Sequence, residues 1–189
     1  VRGDRPPSQS QNFKYMKGYQ FGFMYWRYFM WNFAGRQNDI QGHYFNDDGS
    51  RDYLHGNWIS GIKFLDEARL GPQDNIPDDL KNNKARNTYY LLPLILGLVG
   101  MVYHFVKHPK GAFIVLIMFV MTGLAIAFYL NMPPRQPRER DYAFVGSFCF
   151  FAIWIGMGVM ALSDSIVKLF QNEKLYKVVM PICFILCMG

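Results

Sequence analysis

Two long uncharged runs, at 111–130 and 143–162, constrain this chain more than any other feature of its sequence. Each is long enough for a helix to cross the hydrocarbon core of a bilayer, which is about 30 Å thick. Residues 131–142 join them in a short segment that holds three prolines, three arginines and two acids. We call this segment the anchor loop. The pattern predicts a charged, proline-stiffened turn at a membrane surface.

Composition supports the same prediction. Apolar residues make up 51% of the chain and aromatic residues 17%, and most of the charge lies in the first 88 residues. The net charge is +6 without a nucleic-acid-binding motif, so anionic headgroups or phosphates are the simpler partners. The sequence begins at Val1 and stops at Gly189 inside an apolar run, which suggests a piece of a larger membrane protein.

The predicted fold is an all-α integral membrane bundle behind an extracytoplasmic or interfacial segment, residues 1–88. The apolar runs predict spans at about 89–106, 111–130 and 143–162, with a partial span at 178–189. Residues 163–177 read as an amphipathic connector. Residues 57–70 show helical spacing.

The two sides of this membrane arrangement differ in their basic residues. The turn at 107–110 and the connector share one side and carry five lysines, and the anchor loop shares the other side with residues 36–88. The positive-inside rule is nearly balanced between them. We assign the lysine side to the cytoplasm of a bacterial inner membrane, which leaves the anchor loop extracytoplasmic.

Half of the residues from Gly18 to Gly35 are aromatic, and Arg27 lies among them. Tyr and Trp rings favour the headgroup level of a bilayer. We therefore predict an amphipathic helix over 18–35 that lies in the interface plane, with five residues on one face. These are Gly22, Trp26, Phe29, Met30 and Phe33. The alternatives are a helix packed deeper in the protein, or a span with Arg27 facing inward.

The polar stretch after this helix contains candidate ligand-binding residues. Arg36, Asn38, Asp39 and His43 could bind a sugar or a phosphate, or they could cap the helix and satisfy loop backbone. Adjacent Asp47 and Asp48 make a divalent cation possible, although turn formation explains them as well. No cofactor is otherwise evident.

The anchor loop is the strongest candidate for lipid-phosphate binding. An arginine grips phosphate with two parallel hydrogen bonds, and Arg135, Arg138 and Arg140 lie within six residues. Glu139 and Asp141 could orient these arginines or act as a base. Binding of ordinary headgroups, or pairing with neighbouring acids, is the alternative.

Three stretches carry a family resemblance: Arg27-Tyr-Phe-Met-Trp-Asn-Phe-Ala-Gly-Arg-Gln-Asn-Asp-Ile-Gln-Gly42, Asn57-Trp-Ile-Ser-Gly61 and Gln136-Pro-Arg-Glu-Arg-Asp-Tyr-Ala-Phe-Val-Gly-Ser147. They resemble a family of large multi-span membrane proteins, of formerly unknown function, from Bacteroidetes-type bacteria. That family is similar to GT-C glycosyltransferases and to a eukaryotic transmembrane protein O-mannosyltransferase.

The resemblance implies an enzyme that moves a sugar from a polyprenyl phosphate to a protein or glycan acceptor. GT-C enzymes usually carry a catalytic acid in a first outer loop near the N-terminus. We expect this sequence to start after that region, so the resemblance does not assign the catalytic base, and Asp39 is only a weak catalytic candidate. The rival interpretation is a non-catalytic membrane scaffold or transport subunit, whose arginine loop anchors it to lipid.

Overall fold

The structure is a computed structural model that describes residues 6–46, 48–133, 141–170, 177–179 and 181–182. The chain is mostly helical, as predicted, although one small β-ribbon departs from the all-α expectation. The arginines of the anchor loop and most of the partial span 178–189 lie outside the described residues.

The helices fall into an N-terminal run, two short outer helices and three apolar helices. The N-terminal run is α1 (Gln9–Tyr15), a π-helical stretch (Met16–Trp26) and α2 (Arg27–Phe33), which we call together the aromatic helix. The outer elements are β1 (Gly35–Arg36), α3 (Lys63–Leu70), a 3₁₀ turn (Gln73–Asn75), α4 (Asp78–Lys81) and β2 (Asn87–Thr88). The apolar part holds α5 (Leu92–Lys107), α6 (Pro109–Val120), a π-helical stretch (Met121–Ala125), α7 (Ile126–Leu130), a 3₁₀ turn (Asp141–Phe144) and α8 (Val145–Phe170).

The aromatic helix begins at a capping box. The Ser8 hydroxyl accepts from the Gln11 backbone N–H, and the Gln11 side chain accepts from the Ser8 backbone N–H. The helix is longer than the predicted 18–35, and it packs against the apolar helices rather than presenting a single buried face. Arg27, Tyr28 and Phe29 are all buried. The aromatic helix therefore packs as one of the two alternatives predicted, a helix inside the protein. Its depth in a membrane stays a prediction.

The five residues predicted to share an apolar face differ in burial. Phe29, Met30 and Phe33 are buried, but Gly22 is exposed and Trp26 is 47% exposed. The prediction assumed the α-helical repeat throughout. The stretch from Met16 to Trp26 is π-helical, with i→i+5 hydrogen bonds, and its wider turns rotate side chains away from the face that α2 presents.

The first apolar helix, Leu92–Lys107, has 16 residues and is shorter than the predicted span. Tyr90 and Leu91 have positive φ, at 53° and 60°, so neither can join the right-handed helix that starts after them. At 1.5 Å per residue the helix is about 24 Å long, less than the core of a bilayer. Of the three full-length spans predicted, the first is therefore the one that falls short in length among the described residues, and its crossing of a membrane stays a prediction.

Two other helices are long and apolar enough to cross a membrane: Pro109–Leu130 and Tyr142–Leu169. Their most apolar windows are only 11% and 33% buried inside the structure. The second of them runs past the predicted end at Leu162 and continues to Phe170, through residues assigned to the connector. Chain segments 111–130 and 143–162 are thus helical, as predicted.

The first apolar helix and α8 run parallel and pack at glycine-to-backbone distance. A Cβ on Gly97 would overlap the Phe151 ring, and one on Gly100 would overlap the Trp154 carbonyl oxygen. Farther along, the Tyr103 hydroxyl donates to the Asp164 carboxylate at 2.6 Å. Small residues that let helix backbones approach are typical of helix pairs in membranes.

The Pro109–Leu130 helix runs antiparallel to α8. Its Phe119 ring lies 5.6 Å from that of Trp154, and Gly123 faces the buried hydrogen bond between the Tyr25 and Ser147 hydroxyls, 2.6 Å long. The 107–110 turn therefore lies at the same end of the bundle as residues 164–170. The start of the anchor loop lies at the other end, near Tyr142. This agrees with the prediction that the 107–110 turn and the anchor loop lie on opposite sides.

The segment between the aromatic helix and the apolar helices is held by a ribbon and a buried carboxylate. β1 pairs antiparallel with β2, and the backbone of Arg36 also forms an antiparallel β-bridge with that of Trp58. Asp66 accepts hydrogen bonds from the Ser60 N–H at 2.8 Å, the Ser60 hydroxyl at 3.0 Å and the Gly61 N–H at 2.8 Å. The predicted helix over 57–70 consequently starts only at Lys63, since residues 57–62 are extended or turning to meet this carboxylate.

We expect Asp66→Ala to lower the free energy of unfolding by about 3 kcal/mol, because it leaves two backbone N–H groups and a buried hydroxyl without their shared acceptor. Asp79→Ala is the control, since Asp79 is exposed on α4. Chemical denaturation followed by tryptophan fluorescence measures both. Equal stability of the two variants would show that the Asp66 contacts do not hold the segment.

Candidate anion-binding cleft

A cleft of about 510 Å³ opens between the aromatic helix and the outer segment. The basic residues that line it are Arg27, His43, Arg51 and Arg69. Its aromatic walls are Phe23, Trp26, Tyr44, Phe45 and Trp58. Three guanidinium groups on one cleft, against a single lining carboxylate from Asp52, give it an excess of positive charge.

Arg69 projects from the last turn of α3 and lies flat on an aromatic ring. Its guanidinium carbon is 3.7 Å from the centre of the Trp58 ring, and Nη2 donates to the Trp58 carbonyl oxygen. Nε is buried without a hydrogen-bond partner among the described residues. The Arg69 guanidinium is therefore held in a fixed position on the ring and is partly desolvated.

The pKa of Arg69 is lowered to about 10, chiefly by burial; the Asp66 carboxylate opposes this shift, and the positive charge of Arg51 adds to it. The Arg69 guanidinium nevertheless stays protonated at physiological pH. A cation that is desolvated beside a second cation is stabilised by any anion that enters between them. This pair is therefore the part of the cleft best suited to a phosphate.

Arg27 forms the floor of the cleft. Its guanidinium lies 4.0 Å from the centre of the Phe23 ring and donates from Nη1 to the Gly56 carbonyl oxygen at 3.3 Å. Tyr28 and Trp31 complete an aromatic surround at 4.6 and 5.0 Å. Cation–π contacts of this kind stabilise a buried charge that would otherwise be costly.

Asp52 positions the loop that carries Arg51. Its buried carboxylate accepts from the backbone N–H groups of Leu54 at 3.0 Å and His55 at 3.1 Å, and from that of His43 at 3.3 Å. The His55 ring nitrogen Nδ1 lies 3.2 Å from both oxygens. These partners occupy most of the lone pairs of one carboxylate, so Asp52 acts on the loop rather than on a ligand.

Of the predicted site residues that the structure describes, His43 alone lines the cleft. Asn38 is fully buried, donates to the Leu54 carbonyl at 2.8 Å and accepts from the Gly56 N–H at 2.8 Å. It therefore satisfies loop backbone, which was the alternative for this group. Asp39 is exposed and accepts from Asn83 at 2.9 Å.

Arg36 is directed elsewhere. Its guanidinium lies 4.6 Å from the centre of the Trp31 ring, and its backbone N–H donates to the Asn87 side chain at 2.9 Å within the ribbon. It supports the walls of the cleft through Trp31. Of Arg36, Asn38, Asp39 and His43, the structure therefore brings only His43 to the cleft, and a role of these residues in binding a sugar or phosphate stays a prediction.

The remaining predicted residues belong to the anchor loop. Arg135, Arg138, Glu139 and Arg140 lie outside the described residues, as does the side chain of Asp141. The start of the loop is described: the Tyr15 hydroxyl donates to the Met132 carbonyl at 2.7 Å and that of Tyr19 to the Pro133 carbonyl at 3.1 Å. The aromatic helix thus lines the cleft and also fixes the start of the anchor loop.

Arg51, Arg69 and Trp58 were not predicted as site residues. They lie in three different segments, and no local motif joins them. The one available signal was the run Asn57–Gly61, which places Trp58 among the stretches that carry the family resemblance.

A metal site has little support in the described residues. They contain no group of three His, Cys, Asp or Glu side chains able to hold an ion. Asp48 instead closes a turn, accepting from the Ser50 N–H at 2.8 Å. Asp47 lies outside the described residues.

Comparison of the chain with models of protein families, with curated proteins and with solved structures finds no match.

Proposed function

We propose that this chain is part of an integral membrane glycosyltransferase of the GT-C type, which moves a sugar from a polyprenyl phosphate to a protein or glycan acceptor. The observation that carries the proposal is the cleft: a partly buried Arg69 near an exposed Arg51, with Arg27 held among aromatic rings, walled by aromatic side chains. Arginine and aromatic groups together suit a ligand that joins a phosphate to apolar or sugar surfaces.

The apolar helices support a membrane setting. A helix in the core of a soluble protein is mostly buried, whereas the Pro109–Leu130 helix is apolar on all sides and buried over only 11% of its most apolar window. Exposed side chains such as Phe113, Ile114 and Met121 would face lipid. We place the protein in the bacterial inner membrane, with the anchor loop and the cleft on the extracytoplasmic side.

The cleft lies one layer of side chains from these helices. The Trp26 ring, on its wall, stacks 5.3 Å from that of Phe29. Phe29 in turn contacts Phe119 at 5.9 Å and Phe151 at 4.8 Å between ring centres. A phosphate at headgroup depth would therefore reach the arginines while its polyprenyl chain stays in lipid.

The reaction would form a bond between an acceptor oxygen and the anomeric carbon as the bond from that carbon to the phosphate oxygen breaks. The lipid phosphate leaves with the electron pair, and the proton of the acceptor hydroxyl passes to a carboxylate. Arg51 and Arg69, with Arg135, Arg138 and Arg140 of the anchor loop, would neutralise the developing phosphate charge. An acid in a first outer loop, implied by the family resemblance, would take the proton.

We expect a strain that lacks the gene to lose a glycan that the parent strain makes, and complementation with Arg138→Ala plus Arg140→Ala to fail. Loss of two guanidinium forks removes charge stabilisation of the leaving phosphate. Mass-spectrometric glycan profiles of the strains measure this, with membrane fractionation to confirm insertion. Lys107→Ala plus Lys110→Ala, at the opposite end of the bundle, is the charge-matched control. A normal profile in the Arg138/Arg140 strain would contradict the proposal.

One observation favours the rival function, a non-catalytic scaffold or transport subunit. Asp39, the weak catalytic candidate, lies outside the cleft and bonds to Asn83, and Asp52 is occupied by loop contacts. A scaffold would need the arginines only to hold lipid. An unchanged glycan profile in the deletion strain, together with loss of a membrane complex on native gels, would favour it.

A further inference from the structure

A second cavity lies at the other end of the aromatic helix, and it differs in chemistry from the arginine cleft. Its volume is about 500 Å³. Four of its lining residues carry carboxamides: Gln9, Asn12, Gln20 and Asn131. Phe13, Tyr15 and Phe128 add rings to its walls. We call it the amide pocket.

The amide pocket has no charged lining residue among those described. Lys14 and Lys17 belong to the same helix but lie outside the lining. Burial raises the pKa of Tyr15, so its hydroxyl stays neutral, and it donates to the Met132 carbonyl at 2.7 Å. The described lining thus offers neutral hydrogen-bonding groups, which suit an uncharged ligand.

Two of the carboxamides are held in place before any ligand binds. Gln20 is 4% exposed, and its Nε2 donates to the Asn131 Oδ1 at 2.5 Å. A carboxamide has two N–H donors and an oxygen with two lone pairs, so this single bond leaves both groups able to donate and accept. Fixed groups that offer both roles match hydroxyls, which also donate and accept.

Two phenylalanine rings lie beside the carboxamides of the amide pocket. Phe13 and Phe128 are each 62% exposed, so their rings are accessible at the rim of the pocket. Phe128 lies in the last turns of the Pro109–Leu130 helix, so the pocket would sit at the same membrane boundary as the start of the anchor loop. Exposed rings beside neutral hydrogen-bonding groups can cover the C–H faces of a hydroxyl-rich ring.

We propose that the amide pocket binds an uncharged saccharide, through Asn12, Gln20 and Asn131 to its hydroxyls and through Phe13 and Phe128 to its ring faces. The identification of this saccharide as the acceptor, or as the sugar of the lipid-linked donor, rests on the proposed function. Binding itself requires neither the arginine cleft nor transfer. The two sites would divide the ligand between them, with anionic groups in the cleft and neutral hydroxyls in the amide pocket.

The test uses the chain in phosphatidylcholine nanodiscs, because sugar-based detergents would occupy the pocket. Methyl α-mannoside and methyl α-glucoside are the probes, and saturation-transfer NMR is the readout. We expect transfer to the ring protons of at least one glycoside, with an affinity about fivefold lower after Phe13→Ala, the loss typical of one aromatic contact. Asn12→Ala should weaken binding by a similar factor.

Phe64→Ala and Asn75→Ala are matched controls, since both residues are exposed and lie outside the pocket. Absence of transfer in the unmodified chain, or equal affinity in the Phe13 and Phe64 variants, would overturn the proposal. Arg51→Ala plus Arg69→Ala separates the two claims. If the unmodified protein binds the glycosides but does not bind lipid phosphate, saccharide binding by the amide pocket is supported and the proposed function is contradicted.

Discussion

Replacing Arg51 and Arg69 together by alanine is expected to weaken binding of polyprenyl phosphate by about 100-fold. Each charge-assisted hydrogen bond to phosphate contributes about 1.5 kcal/mol or more, and two such losses correspond to about two orders of magnitude in the dissociation constant. Arg69 carries the larger share, because it is partly buried on Trp58 while Arg51 is exposed and screened. Titration of the lipid into phosphatidylcholine nanodiscs, read by native mass spectrometry, measures the constant.

Lys81→Ala plus Lys84→Ala removes the same charge from exposed positions outside the cleft, so it controls for long-range attraction. That variant should keep affinity within about threefold, since exposed charges at a distance are largely screened. Polyprenol, which lacks the phosphate, should bind the unmodified and the Arg51/Arg69 proteins equally. Equal loss in both charge variants would show that the cleft attracts anions without binding them.

Replacing Gly100 by leucine is expected to separate the first apolar helix from α8 and to lower the free energy of unfolding by about 3 kcal/mol or more. A side chain at Gly100 meets the Trp154 carbonyl oxygen and the Gly158 backbone nitrogen, which are parts of a helix and cannot rotate away. Inserting methylenes into a well-packed interface usually costs about 1–3 kcal/mol even where side chains yield. Thermal unfolding in nanodiscs, followed by circular dichroism, measures the change.

Gly156 supplies the control for this substitution. It lies on the same helix as Gly158, and a Cβ there would meet nothing within 4 Å. Gly156→Leu should therefore leave the melting temperature near that of the unmodified chain. Similar melting temperatures for the Gly100 and Gly156 variants would mean that the two helices do not pack at backbone distance.

The apolar helices could be predicted from sequence because a long uncharged run leaves the backbone few alternatives. Residues 111–130 and 143–162 satisfy their own hydrogen bonds only as helices when lipid surrounds them. The boundaries of the first apolar helix could not be predicted, since positive φ at Tyr90 and Leu91 depends on contacts with the outer segment. The Tyr90 N–H, for example, donates to the Ser60 carbonyl at 3.0 Å.

The candidate site was much less predictable. Sequence reasoning grouped Arg36, Asn38 and His43 because they are close along the chain, yet the cleft is built from residues that only folding brings together. Arg27, Arg51 and Arg69 come from the aromatic helix, a loop and α3. Similarly, the amide pocket joins Gln20 to Asn131 across 111 positions. Proximity in sequence finds local turns, whereas a binding surface of this kind depends on tertiary contacts.

Cysteine labelling at the two ends of the bundle, in a background without the native cysteines, tests directly which end faces the cytoplasm. Gln136→Cys marks the anchor loop, and His108→Cys marks the lysine turn at the opposite end. We expect a membrane-impermeant maleimide to label position 136 in intact cells and position 108 only after permeabilisation. Labelling of 136 only after permeabilisation would contradict this expectation, because the arginines would then face the cytoplasm.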